Sequence, residues 1–337
     1  VAIDLKVPEG LALVKKLADQ CDIVMENFRP GVLDRLGLTF EDLSSRNSGL
    51  IWASISGFGQ TGPYRERPAY DMIVQAMSGG MSLTGEVGRS AVRAGMPIGD
   101  LTAGMYATVG SLAALEERRR TGKGKFVDIS MLDCQVALLT YQAAYYLHSD
   151  KVPGRQGRGH ESIPTYRSFA GANDTELVIC ANTERMWQGL CAVLGLEELT
   201  EDERFLTNEH RHNNRETLWP LLEEAFVTKE AKEWVPFLLK HGVPVGEVNT
   251  LADALSDPQV VHRQMVLDLE GGGDKRARVA GNPIKFMGEE EAPHSYPPAL
   301  GEHSRKVFTG VLGLSDSEFD KYRADGVILE AGDKKSK

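Results

Sequence analysis

Three groups of residues have the types and spacing for chemistry: Gly57-Phe58-Gly59-Gln60-Thr61-Gly62, His160-Glu161, and Asp100. The first is a G-x-G-x-x-G run directly after a strand-like segment, a spacing that lets backbone approach a dinucleotide pyrophosphate. That chemistry needs a helix opening at the glycines, with its N-terminus facing the phosphates. Here Pro63-Tyr64-Arg65-Glu66-Arg67-Pro68 follows, and the two prolines specify a loop. The run therefore reads as a loop able to cover a ligand, not as a nicotinamide fingerprint. His160-Glu161 begins like a zinc motif, but Pro164 stands where its second histidine belongs. His210 and His212 fall in a polar helical stretch and read as solvated. No metal site is expected.

Asp100 is a different case. It precedes a long helical pattern, so spacing alone makes it a helix N-cap, a role that most such aspartates never exceed. The position also suits catalysis. First-turn amides favour the carboxylate anion and are placed to hold a developing oxyanion.

The elements that must position these groups alternate. A helix opened by Pro8-Glu9-Gly10, with apolar positions from Leu11 to Ala18, is followed by an apolar run at 22–25, a loop at 27–31 and a helix over 32–36. Residues 50–56 read as a buried strand and 72–81 as a small-residue helix. In the long helix, Leu101, Met105, Val109, Leu112 and Leu115 form one stripe. Ala103, Gly104, Ala107, Gly110, Ala113 and Ala114 allow a neighbouring backbone to approach. Charges and Thr121-Gly122-Lys123-Gly124 stop that helix, and Arg118-Arg119-Arg120 suit its C-terminus. Residues 126–131 alternate as a strand. This pattern implies an α/β fold with a mostly parallel sheet. Residues 149–170, rich in Gly and Arg, read as a linker. Residues 171–267 form a smaller α+β domain, with a strand at 176–180 and helices around 186–194, 217–226 and 231–241. Gly271-Gly272-Gly273-Asp274 reads as a hairpin turn.

Composition narrows the partners. The chain has 337 residues, 42% hydrophobic content and a net charge of −10. That length supports two domains, and that charge argues against nucleic acid. No apolar run reaches the ~18 residues of a membrane span. The four cysteines form no C-x-x-C pair and read as reduced, buried thiols of a cytoplasmic protein.

Several short strings in register carry a resemblance. They are Ile3-Asp4-Leu5-Lys6 with Pro8-Glu9-Gly10, Val24-Met25-Glu26-Asn27-Phe28-Arg29-Pro30-Gly31, Leu33-Asp34-Arg35-Leu36-Gly37, Ser54-Ile55-Ser56-Gly57-Phe58-Gly59, Pro97-Ile98-Gly99-Asp100, Gly122-Lys123-Gly124 and Leu300-Gly301-Glu302-His303. Together they resemble the family III CoA-transferases, across essentially the whole chain. The resemblance implies that Asp100 is the nucleophile, rather than Asp128 or Asp133. It implies CoA contacts from Ile3, Lys6, Asn27, Phe28, Arg29, Arg35 and Tyr70. It implies CoA exchange between an acyl-CoA and a free carboxylic acid through an aspartyl mixed anhydride, with no permanently bound cofactor. Gly159-His160-Glu161-Ser162-Ile163 resembles members that act on succinyl-CoA and small diacids. The implied fold is a large Rossmann-like domain built from both chain ends (1–148 and 268–337) with the smaller domain inserted. Two protomers interlock as a homodimer, and Asp100 sits between the large domain and the partner's small domain.

The resemblance also implies a strand, a helix and a second strand ahead of Ile3. On that basis the chain is expected to be an N-terminal truncation. Its sheet should then show an open edge or an apolar groove near Ile23 and Ile51. Two other functions remain. One is an α-methylacyl-CoA racemase, which shares the fold but places a catalytic His before the Asp matching Asp71. Here that position is Tyr70, a poor base with an ordinary pKa of about 10. The other is an inactive CoA-binding truncation, which an acyl-exchange assay would separate from an enzyme.

Overall fold

The computed structural model describes residues 1–271, 275–289 and 293–333. The chain divides into two compact units. The first comprises Val1–Gly85, Ser90–Gly154 and Pro297–Lys337; the second comprises Glu86–Arg89 and Arg155–Tyr296. Along the chain the strands are β1 (Ala2–Ile3), β2 (Ile23–Glu26), β3 (Ile51–Ser56), β4 (Phe126–Ser130), β5 (Tyr166–Ala170), β6 (Glu176–Cys180), β7 (Val245–Glu247), β8 (Val266–Glu270), β9 (Arg276–Ala280) and β10 (Ile328–Leu329).

In the first unit, β2, β3 and β4 form a parallel sheet in that order, with Ile23 opposite Ile51 and Trp52 opposite Phe126. The central strand β3 is buried at every position except the half-buried Ile55. That burial explains its uncharged sequence of apolar residues and the small Ser54 and Ser56, since a parallel strand is covered on both faces. Ile51 is fully buried and Ile23 half-buried. The outer edge of β2 has no strand partner among the described residues. β1 pairs antiparallel with β10 over a core of Leu13, Phe308, Phe319, Val327 and Ile328, which joins the two chain ends in this unit.

The helices of the first unit begin with α1 (Pro8–Ala18), α2 (Val32–Arg35), α3 (Phe40–Arg46), α4 (Asp71–Met77), α5 (Gly80–Leu83), α6 (Ile98–Thr121), α7 (Met131–Ala137) and α8 (Thr140–Ser149). The helix expected over 72–81 is two, because Gly79 adopts φ 93° and breaks it between α4 and α5. The two stripes of α6 are distributed unequally. Its buried face is small: Ala103, Ala107, Ser111 and Ala114. Its large apolar residues Leu101, Met105, Val109 and Leu112 are 53%, 60%, 62% and 58% exposed. Small residues let α6 pack close to β3 and β4, which leaves the bulky stripe outward. The helix stops at Gly122, φ 71°, whose N–H bonds the Arg118 carbonyl, and Arg118 pairs with Asp22 at 2.9 Å.

The second unit has an antiparallel sheet, β5-β6-β7, over one core that includes Phe169, Trp187, Phe205, Leu218, Phe226 and Trp234. The stretch expected as a linker ends early, since Tyr166–Ala170 form β5 with Ser168 and Phe169 buried. Its Gly- and Arg-rich start masks the strand that follows. β8 pairs with β9, but positions 272–274 of the expected hairpin turn lie outside the described residues. Cys134 and Cys191 are buried, whereas Cys180 is half-buried and Cys21 exposed, which corrects the expectation that all four are buried. No helix among the described residues is long and apolar enough to cross a membrane.

Candidate active site

A cavity of about 500 Å³ lies in the first unit, between the ends of β2 and β3 and the start of α6. Asp100 lines it together with Asn27, Phe28, Arg29, Arg67 and Tyr70. Loop 27–30 is fixed by two bonds at its root. Asn27 Nδ2 donates to the Ile55 carbonyl at 2.7 Å, and the Phe28 amide donates to Glu26 Oε2 at 2.7 Å. Arg29 and Pro30 also line a neighbouring cavity of about 290 Å³, whose walls include Trp52, Phe40 and Phe126.

Asp100 is the third helical residue rather than the cap, because α6 starts at Ile98 with Pro97 before it. The Leu101 amide bonds the Pro97 carbonyl at 3.0 Å, and the Gly99 amide donates to Asp71 Oδ1 at 2.7 Å. The Gly99 amide is thus engaged and unavailable to an oxyanion. No hydrogen bond or ion pair holds the Asp100 carboxylate among the described residues. Burial, and then the charge of Asp71, raise its pKa above the ordinary aspartate value. The anion is therefore less stabilised than a capping aspartate would be, which suits a nucleophile better than a structural cap.

Two glycines make this geometry possible. A Cβ on Gly99 would come within 2.8 Å of Val74 Cγ2 and 3.0 Å of Asp71 Oδ1, so only glycine lets α6 start against α4. A Cβ on Gly57 would lie 2.2 Å from Ala69 Cβ, so the loop between them closes at a narrow neck. The loop contains no helix, and Gly59 and Gly62 have φ 86° and 91°. Within it the Arg67 guanidinium sits 3.7 Å from the centroid of the Tyr64 ring, which rests edge-on against Phe58 at 5.7 Å. That stack presents Arg67 to the cavity.

Of the residues expected to bind CoA, Asn27, Phe28, Arg29 and Tyr70 line the cavity with Asp100; Ile3, Lys6 and Arg35 do not. Ile3 is on β1, packed against the core beneath it. Lys6 follows in a turn closed by its amide on Asp4 Oδ1 at 2.8 Å. Arg35 ends α2 and is exposed. Asp128 is an exposed strand residue that accepts from the Gln60 amide at 3.0 Å, and Asp133 lies in the first turn of α7. The sequence reading missed Arg67, whose signal was only a basic residue in a proline-rich loop, and the Asp71 link to Gly99. In the second unit His160 stacks on Tyr166 at 5.6 Å. No group of three or more potential metal ligands occurs among the described residues.

Residues 1–304 match CoA-transferase family III. The chain belongs to that family and is an enzyme of its class, one that uses CoA thioesters as substrates. It is 36% identical over 328 residues to a succinyl-CoA:glutarate CoA-transferase of Mus musculus, covering 97% of this chain and 75% of that one. It is 39% identical over 314 residues to an acetyl-CoA:oxalate CoA-transferase of Acetobacter aceti, covering 91% and 79%. A crystal structure of a CAIB/BAIF family protein from Brucella suis matches with a TM-score of 0.82 and 38% identity, covering 92% of this chain and 80% of that one.

Proposed function

We propose that this enzyme exchanges CoA between an acyl-CoA and a free carboxylic acid through a mixed anhydride on Asp100, with succinyl-CoA or another small dicarboxylyl-CoA as a donor. The observation that carries the reading is the unpaired, raised-pKa Asp100 carboxylate lining a cavity with Arg29 and Arg67. A carboxylate oxygen of Asp100 attacks the thioester carbon, the C–S bond breaks, and CoA leaves as thiolate. The acceptor carboxylate then attacks the aspartyl carbonyl and displaces the donor acid. The thiolate attacks the acceptor acyl carbon, which releases the new thioester and restores Asp100. No net proton moves, and the anhydride is activated enough to split a difficult transfer into easier steps. Asn27, Phe28, Arg29 and Tyr70 hold CoA, with charge-assisted bonds from Arg29 and Arg67 to phosphate or to a substrate carboxylate. The preference for diacids draws support from the relative named for succinyl-CoA and glutarate.

The enzyme is proposed to act as a homodimer. The support is the outward apolar stripe of α6, together with exposed Tyr141, Tyr145 and Leu147 on α8, since exposed apolar area marks interaction surfaces. A monomer in sedimentation velocity would count against it.

The test of the reaction is transfer from succinyl-CoA to a panel of acids. Asp100→Ala is expected to abolish transfer while CoA still binds, and hydroxylamine added during turnover should modify Asp100. Full turnover in that variant would end the assignment. Arg29→Ala and Arg67→Ala should each weaken acyl-CoA or acid binding by about 1.5–3 kcal/mol. Arg35→Ala, outside the cavity, should do so by less; equal losses would move the site.

A further inference from the structure

Between α4 and the start of α6 runs a chain of hydrogen bonds with a fixed direction. The Ala94 amide donates to Gln75 Oε1 at 2.9 Å, and Gln75 Nε2 donates to Asp71 Oδ2 at 2.7 Å. Asp71 Oδ1 accepts the Gly99 amide at 2.7 Å. Gln75 Nε2 also reaches the Met96 carbonyl at 3.5 Å. Gln75 is 3% exposed, so its amide cannot turn to water for partners. Nor can it flip, because its NH2 would then face the Ala94 N–H and its oxygen would face the Asp71 carboxylate. One side chain thus decides both where the 94–96 strap lies and which way Asp71 presents its second oxygen to Gly99. Gly99 is the residue before Asp100, and no side-chain partner fixes Asp100 itself. The direction in which its carboxylate points is set by the backbone that carries it.

We infer that Gln75 is a positioning residue for the transfer: acting through Asp71 and the Gly99 amide, it anchors the first turn of α6 and aims the Asp100 carboxylate into the cavity. This rests on the reading of Asp100 as nucleophile. Neither Gln75 nor the 94–96 strap lines the cavity, so the effect falls on reaction from the bound state, not on binding. Displacement of a reacting group by about 1 Å can cost on the order of 100-fold in rate.

The polarity of the chain supplies a test that loss of folding cannot imitate. Gln75→Glu places two carboxylates face to face and should lower kcat about 10–100-fold, with the KM for acyl-CoA changed less than about two-fold. Asp71→Asn combined with Gln75→Glu restores a donor facing an acceptor. The asparagine oxygen takes the Gly99 amide, its NH2 meets the introduced carboxylate, and that carboxylate still accepts from Ala94. The double variant should recover at least about ten-fold of the kcat lost by Gln75→Glu alone. Three outcomes would overturn the inference: kcat within about two-fold of the parent in Gln75→Glu, a double variant no faster than the single, or a loss carried mainly in KM. Failure of all these variants to fold would make Gln75 a core residue and would also overturn it. If Asp100→Ala retains turnover, the nucleophile assignment fails. If Asp100→Ala is dead and the Gln75 variants are normal, only the present inference fails.

Discussion

The two units use apolar sequence in opposite ways. The second unit closes over one aromatic core in which Phe169, Trp187, Phe205, Phe226 and Trp234 are all buried. The first unit divides its interior into smaller clusters, and its α6 buries only small residues, Gly99, Thr102, Ala103, Ala107, Ser111 and Ala114, while the larger residues of α6 face outward. Bulk burial stabilises but tolerates adjustment. Close backbone contact adds less burial and fixes position to a fraction of an ångström. The unit carrying Asp100 is built the second way, so substitutions in the two units should fail differently.

The largest expected effect tests the aromatic side. Phe226→Ala removes a ring 4.8 Å from Phe169 and 5.6 Å from Trp234. It should cost about 3–5 kcal/mol, measured by urea unfolding followed through tryptophan fluorescence. A cost below about 1 kcal/mol would mean that this core collapses to fill the space, and the contrast would weaken. Gly99→Ala tests the other side with one methyl. Overpacking against Val74 and Asp71 should cost about 1–3 kcal/mol. Its distinguishing mark is a kcat loss larger than the stability loss explains; normal kcat in folded Gly99→Ala would show that α6 can shift without harm.

The smallest effect is one of sign. Asp100 has a raised pKa in the folded protein, from burial first and then from Asp71. The stability it contributes is present below the ordinary carboxylate pKa and lost as pH rises through the raised value. At neutral pH the ionised carboxylate therefore opposes folding. Asp100→Asn, which resembles the protonated form, should melt higher than the parent at pH 7, and the gap should close toward pH 4 and below. A variant that melts lower at pH 7 would show that the anion is held, not merely exposed. On the proposed mechanism, in which the anion attacks, the acidic limb of the rate profile should for the same reason lie above the ordinary aspartate range.

Much of the first unit was legible because its signals are continuous. Ile51–Ser56 is a run of apolar and small residues with no charge, and α6 ends on charges and a glycine. The loop after β3 was legible from its prolines. What stayed hidden depends on partners remote in sequence. Gln75 looks like an ordinary polar helix residue until Asp71, Ala94 and Met96 surround it. The break at Gly79 looked like one more small residue in a helix of small residues. β7 is three residues long, too short for alternation to register. Asp100 was located correctly on its helix, but its place in the first turn was not, because Pro97 moves the start of α6 ahead of it.

The narrow neck at Gly57 and Ala69 has a consequence for how such a site can change. With its two ends in contact, the segment between them is a cassette whose length and composition can vary while β3 and α4 stay in register. Each doubling of a flexible loop adds only about 0.6 kcal/mol of closure entropy. Residues such as Tyr64 and Arg67 can therefore be exchanged, or others inserted beside them, while Asp100 and the Asp71–Gly99 contact remain where they are. On the proposed mechanism, a library confined to positions 58–68 is expected to change which acids are accepted while transfer through Asp100 persists.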